Sequence, residues 1–394
     1  MNVITVSREH GAGGEEVAQG LARVLAWEVL DRELMHQAAH IARLPEAQME
    51  QLDEQPAPKG ETLSSSLVHQ QYIRALTEAA VRAAERGKVI LVGRGARHLL
   101  GEARASLHLR LVGPKAWRAQ RIALREGLST EKALARCNEI DRARRQYTHF
   151  YFGDAAIQPA EYHLVVNSAR LLPEDLVPVV AALVQQHTDL PGEQPRGRRV
   201  LTLSRELGAG DSGFAPTLGE RLGLKVADRE ILDQEAVRMG VPKSEVEYID
   251  EQPATGAPGA PLPTLHRRYF EALQQIILEL AEQGETLIVG RGGSCFLRDY
   301  PWAFHVKLVA PMAVRKRRVS EHRWLREETV RKLIADSDLQ RRGFYQTYFK
   351  ADWDSPLESD ITVNSGRLGP AAIDLVALAA TRHWQRIHRA AQPG

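Results

Sequence analysis

Residues 3–18 read VITVSREHGAGGEEVA: an apolar run, then Ser7, Arg8 and Glu9, then glycines at 11, 13 and 14, then the start of a helical pattern. A short β-branched run that passes through glycines into Val17, Leu21, Val24 and Leu25 on one helical face spells strand, turn and helix. The stretch occurs twice. VITVSREHGAG at Val3 returns as VLTLSRELGAG at Val200, so position 3 maps to position 200 by a shift of 197 residues.

That one shift recurs along the chain. It carries Asp31 onto Asp228, DEQPA at Asp53 onto DEQPA at Asp250, and VGRG at Val92 onto VGRG at Val289. It also carries Asp141, Arg144 and Arg145 onto Asp338, Arg341 and Arg342, and VNS at Val166 onto VNS at Val363. A shift that never drifts predicts one domain duplicated in tandem. The expected boundaries are 1–186 and 198–394, joined by a polar, Pro/Gly-containing linker at 187–197.

Composition limits the function classes. A chain of 394 residues suits at least two cores. Its 52 basic and 50 acidic side chains leave a formal charge of +2, which gives no global field for nucleic acid or anionic membrane. The longest apolar stretches, such as LVPVVAALV, are too short to span a bilayer, and the N-terminus enters a strand without a basic leader. Cys137 and Cys295 stand far apart with no metal-ligand spacing around them. These features predict a cytoplasmic protein without disulfides and without nucleic-acid or membrane partners.

In the first half, strand-like runs at 3–7, 27–31, 88–93, 107–112 and 162–167 alternate with helical segments. Short apolar strands separated by helices predict an α/β fold whose mostly parallel sheet is covered on both faces. Ligands of such sheets bind beyond the carboxyl ends of the strands, and four candidate sites lie there.

The first site is the glycine turn. Laid on the phosphate-loop pattern GxxxxGK[ST], Arg8, Gly13, Gly14 and Glu15 take the four specified places. In the second half Arg205, Gly210, Asp211 and Ser212 take them. The lysine is missing from both. Backbone N–H groups of such a turn, with the following helix N-terminus, still make an anion site. Arg8 and Arg205 would add bidentate guanidinium groups where lysine is a point charge. Two readings of Glu15, Glu16 and Asp211 stand. They complement the helix dipole, or they fill the anion site themselves and pair with the arginines.

The second site is Arg94 and Arg291, each between glycines just past the third strand of its half. The third is arginine-rich: Arg118, Arg121, Arg144 and Arg145, repeated as Arg315, Arg318, Arg341 and Arg342. Several arginines after the fourth strand fit a closing lid that neutralises phosphate charge during transfer. The fourth is Asn167 and Asn364, which either contact a base or start a turn. The Pro/Gly-rich stretches 55–66 and 252–264 are expected to be mobile segments bordering an acceptor site.

In this order, the glycine loop, the Asp after the second strand, the GRG after the third and the arginine-rich lid resemble the cytidylate-kinase-like proteins. These are relatives of bacterial CMP kinase among the P-loop nucleoside monophosphate kinases. The resemblance covers nearly all of both halves and rests on SRE.GAG, VGRG and D..RR in combination. It implies two tandem P-loop NTPase-like domains, each a parallel five-stranded sheet of order 2-3-1-4-5 with helices on both faces. It implies ATP, with Mg2+, at a loop formed by Arg8, Gly11, Gly13 and Gly14, and at one formed by Arg205, Gly208, Gly210 and Ser212. A nucleoside monophosphate would lie over the second and third strands, at Asp31 and Arg94 or Asp228 and Arg291, with Arg94 and Arg291 holding the acceptor phosphate and the lid arginines meeting the transferred one. The two domains are expected to pack as an intramolecular pseudo-dimer. The sequence departs from CMP kinase at the loop lysine, and at Gly95 and Gly292, where that enzyme carries Asp.

Two functions therefore stand. One is a kinase that moves the ATP γ-phosphate to CMP, dCMP or another small acceptor by positioning and charge neutralisation. The other is a pseudokinase that senses nucleotide or acts as a scaffold. The missing lysine and the added carboxylates point to the second. The repeated Arg94, Arg291 and lid arginines point to the first, and the balance favours it.

Overall fold

A computed structural model of the chain describes residues 1–54, 62–93, 95–101, 106–187, 189–190, 198–228, 230–251, 263–323 and 326–391. Arg94, and the parts 55–61 and 252–262 of the Pro/Gly-rich stretches, lie outside the described residues. The chain divides into two compact units, Met1–His187 and Thr188–Gly394.

The first unit runs β1 (Val3–Arg8), α1 (Gly14–Leu25), β2 (Glu28–Leu30), α2 (Arg32–Ala42), α3 (Glu46–Glu54), α4 (Leu67–Arg86), β3 (Val89–Val92) and α5 (Ala96–Leu100). It continues with β4 (Ser106–Val112), α6 (Lys115–Glu126), α7 (Thr130–Phe152), β5 (Leu164–Asn167) and α8 (Pro173–Gln185). The second unit repeats the sequence of elements: β6 (Val200–Arg205), α9 (Phe214–Leu222), β7 (Lys225–Ala227), α10 (Glu230–Met239), α11 (Lys243–Glu251), α12 (Thr264–Gln283) and β8 (Thr286–Val289). There follow α13 (Gly293–Phe296), β9 (Ala303–Val309), α14 (Met312–Arg323), α15 (Glu327–Phe349), β10 (Ile361–Asn364), α16 (Ser365–Leu368) and α17 (Ala371–Ala391).

Among the described residues each unit holds five parallel strands. In the first their order is β2-β3-β1-β4-β5, with residues 3–6 opposite 89–92 and residues 3–8 opposite 106–111. In the second it is β7-β8-β6-β9-β10, with residues 200–203 opposite 286–289 and residues 200–205 opposite 303–308. This is the strand order expected from the resemblance, twice over. Every residue of β3, β5, β8 and β10 is buried, as strands must be when helices cover both faces.

In the first unit α1 and α8 form one helical layer, and α2, α4 and α5 belong to the other. Burying Val17 and Leu21 of α1 contributes about 1.5–3 kcal/mol each. The α1–α8 approach is close enough that a Cβ on Gly20 would sit 2.7 Å from Val177. The central strands leave the sheet between β1 and β4, where successive connections turn to opposite sides. The first glycine loop hangs at that reversal and the second at the equivalent one between β6 and β9, which is where open parallel sheets bind ligands.

Candidate functional site

The first loop is shaped by where its backbone hydrogen bonds go. Past Arg8, Gly11 and Gly13 take φ of 80° and 85°, and α1 starts at Gly14. A Cβ on Gly11 would sit 2.9 Å from the Arg118 carbonyl oxygen, so the turn excludes other residues. The His10 N–H donates to Asp141 Oδ1 at 2.8 Å, and the Ala12 N–H donates to the Glu9 carbonyl at 3.2 Å. Among the described residues no acceptor takes the N–H groups of Gly13, Gly14, Glu15 or Glu16. These donors crown the N-terminus of α1, whose dipole favours an anion. Glu15 and Glu16 are exposed, and Glu16 accepts from Arg121 at 2.8 Å. In this unit neither carboxylate accepts from a loop N–H among the described residues, although Glu16 Oε2 would lie 3.5 Å from a Cβ on Gly13 and the carboxylate is paired with Arg121.

Arg8 corrects an expectation. Its side chain does not curl into the loop to replace lysine. It runs beside Gly14, where a Cβ would meet Arg8 Cγ at 2.7 Å, and across Gly93, where a Cβ would meet Nη1 at 1.9 Å. It ends 3.4 Å from Asp31 Oδ2. Two residues without Cβ atoms open that path, and a carboxylate waits at its end. Arg205 also points to the equivalent carboxylate, 3.5 Å from Asp228, but by another course, since Asp211 stands in place of Gly14 and a Cβ on Gly290 would meet nothing within 4 Å; Arg291 Nη1 donates to the Asp228 carbonyl at 3.1 Å. The arginine-to-carboxylate pairs therefore form on the β2/β3 and β7/β8 side, with Asp31 and Asp228, rather than with Glu15 and Asp211.

The arginine-rich segment separates into different jobs. Arg118 and Arg315 are not lid groups. Arg118 is buried, donates to Asp141 Oδ2 at 2.6 Å and to the His10 carbonyl at 2.8 Å, and lies 3.3 Å from Glu9. Arg315 is buried on Asp338 at 2.7 Å, donates to the Leu207 carbonyl and lies 3.4 Å from Glu206. A buried guanidinium with its charge matched inside the protein props the loop from below and cannot reach a phosphate above it. Arg144 Nη1 donates to the Arg8 carbonyl at 3.1 Å, and Arg145 is exposed on α7. In the second unit Arg341 turns back onto Ser337, and Arg342 pairs with Asp354.

The two loops differ. Ser212 does not lie in the first turn of a helix as Glu15 does, because α9 starts only at Phe214. Asp211 Oδ1 accepts from the Gly213 N–H at 3.1 Å, so the loop's own carboxylate takes one of its donors. Arg318 donates to the Gly208 carbonyl at 3.3 Å, to the Ala209 carbonyl at 2.9 Å and to Ser365 Oγ at 2.9 Å, which spends it on backbone.

Asn167 and Asn364 start turns, with Asn364 Oδ1 accepting from the N–H groups of Gly366 and Arg367. Gly95 and Gly292, both at φ 67°, stand where a Cβ would sit 2.1 Å from Phe152 and 2.3 Å from Phe349. Aromatic rings at the ends of α7 and α15 thus exclude an aspartate from the position after the GRG arginine. Sequence reasoning missed Glu9 and Glu206, whose carboxylates accept from the Gly113 and Ala310 N–H groups. The signal was present: both belong to the repeated SRE. It also missed Arg110 and Lys307, equivalent cations near the ends of β4 and β9.

Among the described residues no helix is long and apolar enough to cross a membrane, and no three His, Cys, Asp or Glu side chains gather as a metal group.

The sequence model of the cytidylate kinase-like family matches residues 3–170 and again 200–367. The chain is 30% identical over 130 residues to a cytidylate kinase of Pyrococcus horikoshii, a match covering 32% of this chain and 64% of that protein. It is 31% identical over 121 residues to a cytidylate kinase of Thermococcus sibiricus, covering 30% and 60%. The chain thus spans less than two thirds of either relative. Among solved structures, the shikimate kinase of Bacteroides thetaiotaomicron is similar over 47% of this chain and 98% of its own, at 14% identity and a TM-score of 0.30.

Proposed function

The chain belongs to the cytidylate kinase-like family, and we propose that it binds ATP at its first glycine loop and passes the γ-phosphate to a nucleoside monophosphate such as CMP or dCMP. The observation that carries this reading is the set of N–H groups of Gly13, Gly14, Glu15 and Glu16 at a helix N-terminus, which have no acceptor among the described residues, with the Glu16 carboxylate beside Gly13 balanced by Arg121. Phosphoryl transfer asks a protein mainly for positioning and charge neutralisation, and a backbone nest supplies both without a lysine.

In this reading Gly11, Gly13 and Gly14 wrap the phosphates. Arg121, Arg144 and Arg145 stand at the loop mouth and on α7, where transferred charge would develop. Asp31, Arg8 and Arg94 bound the acceptor. Mg2+ on a nucleotide needs only one or two protein carboxylates beside phosphates and water, and of the two acidic residues in the first turn of α1, Glu15 is the one not paired with Arg121. The ion would neutralise phosphate charge.

A nucleotide sensor or scaffold is the alternative, and the second loop favours it there: Asp211 and Arg318 satisfy that loop from within.

Calorimetry with ATP, with and without Mg2+, followed by phosphate transfer to a panel of nucleoside monophosphates, tests the reading. Micromolar to millimolar binding with transfer is expected. Absence of ATP binding removes the reading, and binding without transfer to any acceptor leaves the sensor.

A further inference from the structure

The ends of the central strands carry the same three chemical groups in both units, arranged differently. In the first unit Ser7 pairs in register with Arg110 on β4, and Gly93 follows β3 on its other side. Arg110 Nη1 lies 3.4 Å from Ser7 Oγ, with its Cζ 5.5 Å from the centre of the Tyr162 ring. The Tyr162 hydroxyl is 3.5 Å from Ser7 Oγ and donates to the Ala156 carbonyl. Arg110 is half-buried, and among the described residues no carboxylate lies within ion-pair distance of it. A guanidinium has five donors, and only one of them is directed at Ser7.

In the second unit Ser204 pairs with Lys307 on β9. The ring arrives from another place: Ser359 stands where the first unit has Tyr162, and Trp353 where it has Ala156. Trp353 is 2% exposed, its Nε1 donates to Ser204 Oγ at 3.1 Å, and its ring lies 4.0 Å from Lys307 Nζ. Lys307 is 4% exposed, donates to the Trp353 carbonyl and lies 3.9 Å from Asp354 Oδ1, a carboxylate that replaces Ile157 of the first unit. Arg342 holds Asp354 from the other side. Hydroxyl, cation and ring here satisfy one another, and burial lowers the lysine's pKa.

We infer that the two repeats have divided the acceptor function: Arg110 with Ser7 holds the phosphate of an acceptor in the first repeat, and Trp353 closes the equivalent place in the second. This rests on the proposal that the chain takes a nucleoside monophosphate, and it adds a phosphate-binding residue on β4 and a stoichiometry. Arg110 is specificity-determining in this scheme, because an acceptor without an anionic group gains nothing from a guanidinium that no carboxylate among the described residues balances.

Calorimetric titration of the full chain with CMP, and separately with ATP, tests it. One CMP per chain is expected, with affinity falling about tenfold or more in Arg110→Ala and partly restored in Arg110→Lys. Trp353→Ala, checked for folding by near-ultraviolet circular dichroism, should add a second, weaker site. Two equivalent sites in the native chain, or undiminished binding in Arg110→Ala, overturn the inference, and so does a folded Trp353→Ala chain that still takes one CMP. Should Trp353→Ala not fold, native stoichiometry and Arg110→Ala decide. ATP heat without CMP heat overturns the inference alone. CMP heat without ATP heat overturns phosphoryl transfer alone, and silence with both ligands overturns both.

Discussion

Arg118 Nη1 donates to Asp141 Oδ2 at 2.6 Å, with the two side chains 4% and 5% exposed, and the other oxygen of that carboxylate accepts from the His10 N–H. The pair ties α6 and α7 to the underside of the first glycine loop. Removing one partner of a buried pair strands the other charge, so Arg118→Ala should destabilise the first unit by about 3–5 kcal/mol. The double replacement Arg118→Met/Asp141→Leu should cost less than the sum of the two single changes. Scanning calorimetry of the full chain measures both. An unchanged melt with lost phosphate binding would return Arg118 to the lid.

Gly11→Ala places a Cβ 2.9 Å from a backbone oxygen at a φ of 80°. The backbone conformation alone costs about 1–3 kcal/mol. The variant should melt lower than the native chain and lose ATP affinity, because the nest donors move with the turn. Retention of both the melt and the affinity would show that the loop relaxes without cost.

Arg8→Ala should act on the acceptor and spare ATP. The Arg8–Asp31 contact is long at 3.4 Å and Asp31 is 41% exposed, so its loss should change stability by less than about 1 kcal/mol. Its guanidinium faces Gly93 and the β2 end, so KM for the nucleoside monophosphate should rise about tenfold while ATP affinity holds. The opposite split would place Arg8 in the ATP loop.

His10 gives the first unit a pH dependence of predictable sign. Burial, reinforced by Arg144 and Arg125 and opposed by Asp141 and Glu126, lowers its pKa from 6.5 to about 4. The unfolded chain then binds more protons than the folded one between these values, so the contribution to stability is full above about 6.5 and is lost as pH falls toward about 4. His10→Gln should flatten the melting temperature against pH in that window. An equal slope in the variant would assign the dependence to other groups.

Much of this was legible without coordinates because it is local or repeated. β1, its glycine turn and α1 follow from a β-branched run, residues that permit positive φ, and helical spacing within a single short stretch. Arg94 could be singled out between its glycines, though it lies outside the described residues. The direction of an arginine was not legible. Arg118 and Arg121 sit three apart on one helix, yet one is buried on Asp141 and the other meets exposed Glu16.

The sequence by itself determined the duplication, the alternation of strands and helices, and the loop's place between β1 and α1, since periodicity and turn chemistry act over a few residues. Only the tertiary structure decided which charges remain for a ligand. Arg8 reaches Asp31 because Gly14 and Gly93 lack Cβ atoms, Gly95 is glycine because Phe152 from the end of α7 lies against it, and Trp353 closes on Lys307 from 46 residues away. Each depends on atoms brought together by folding, where excluded volume and charge pairing between distant segments settle what local propensity leaves open.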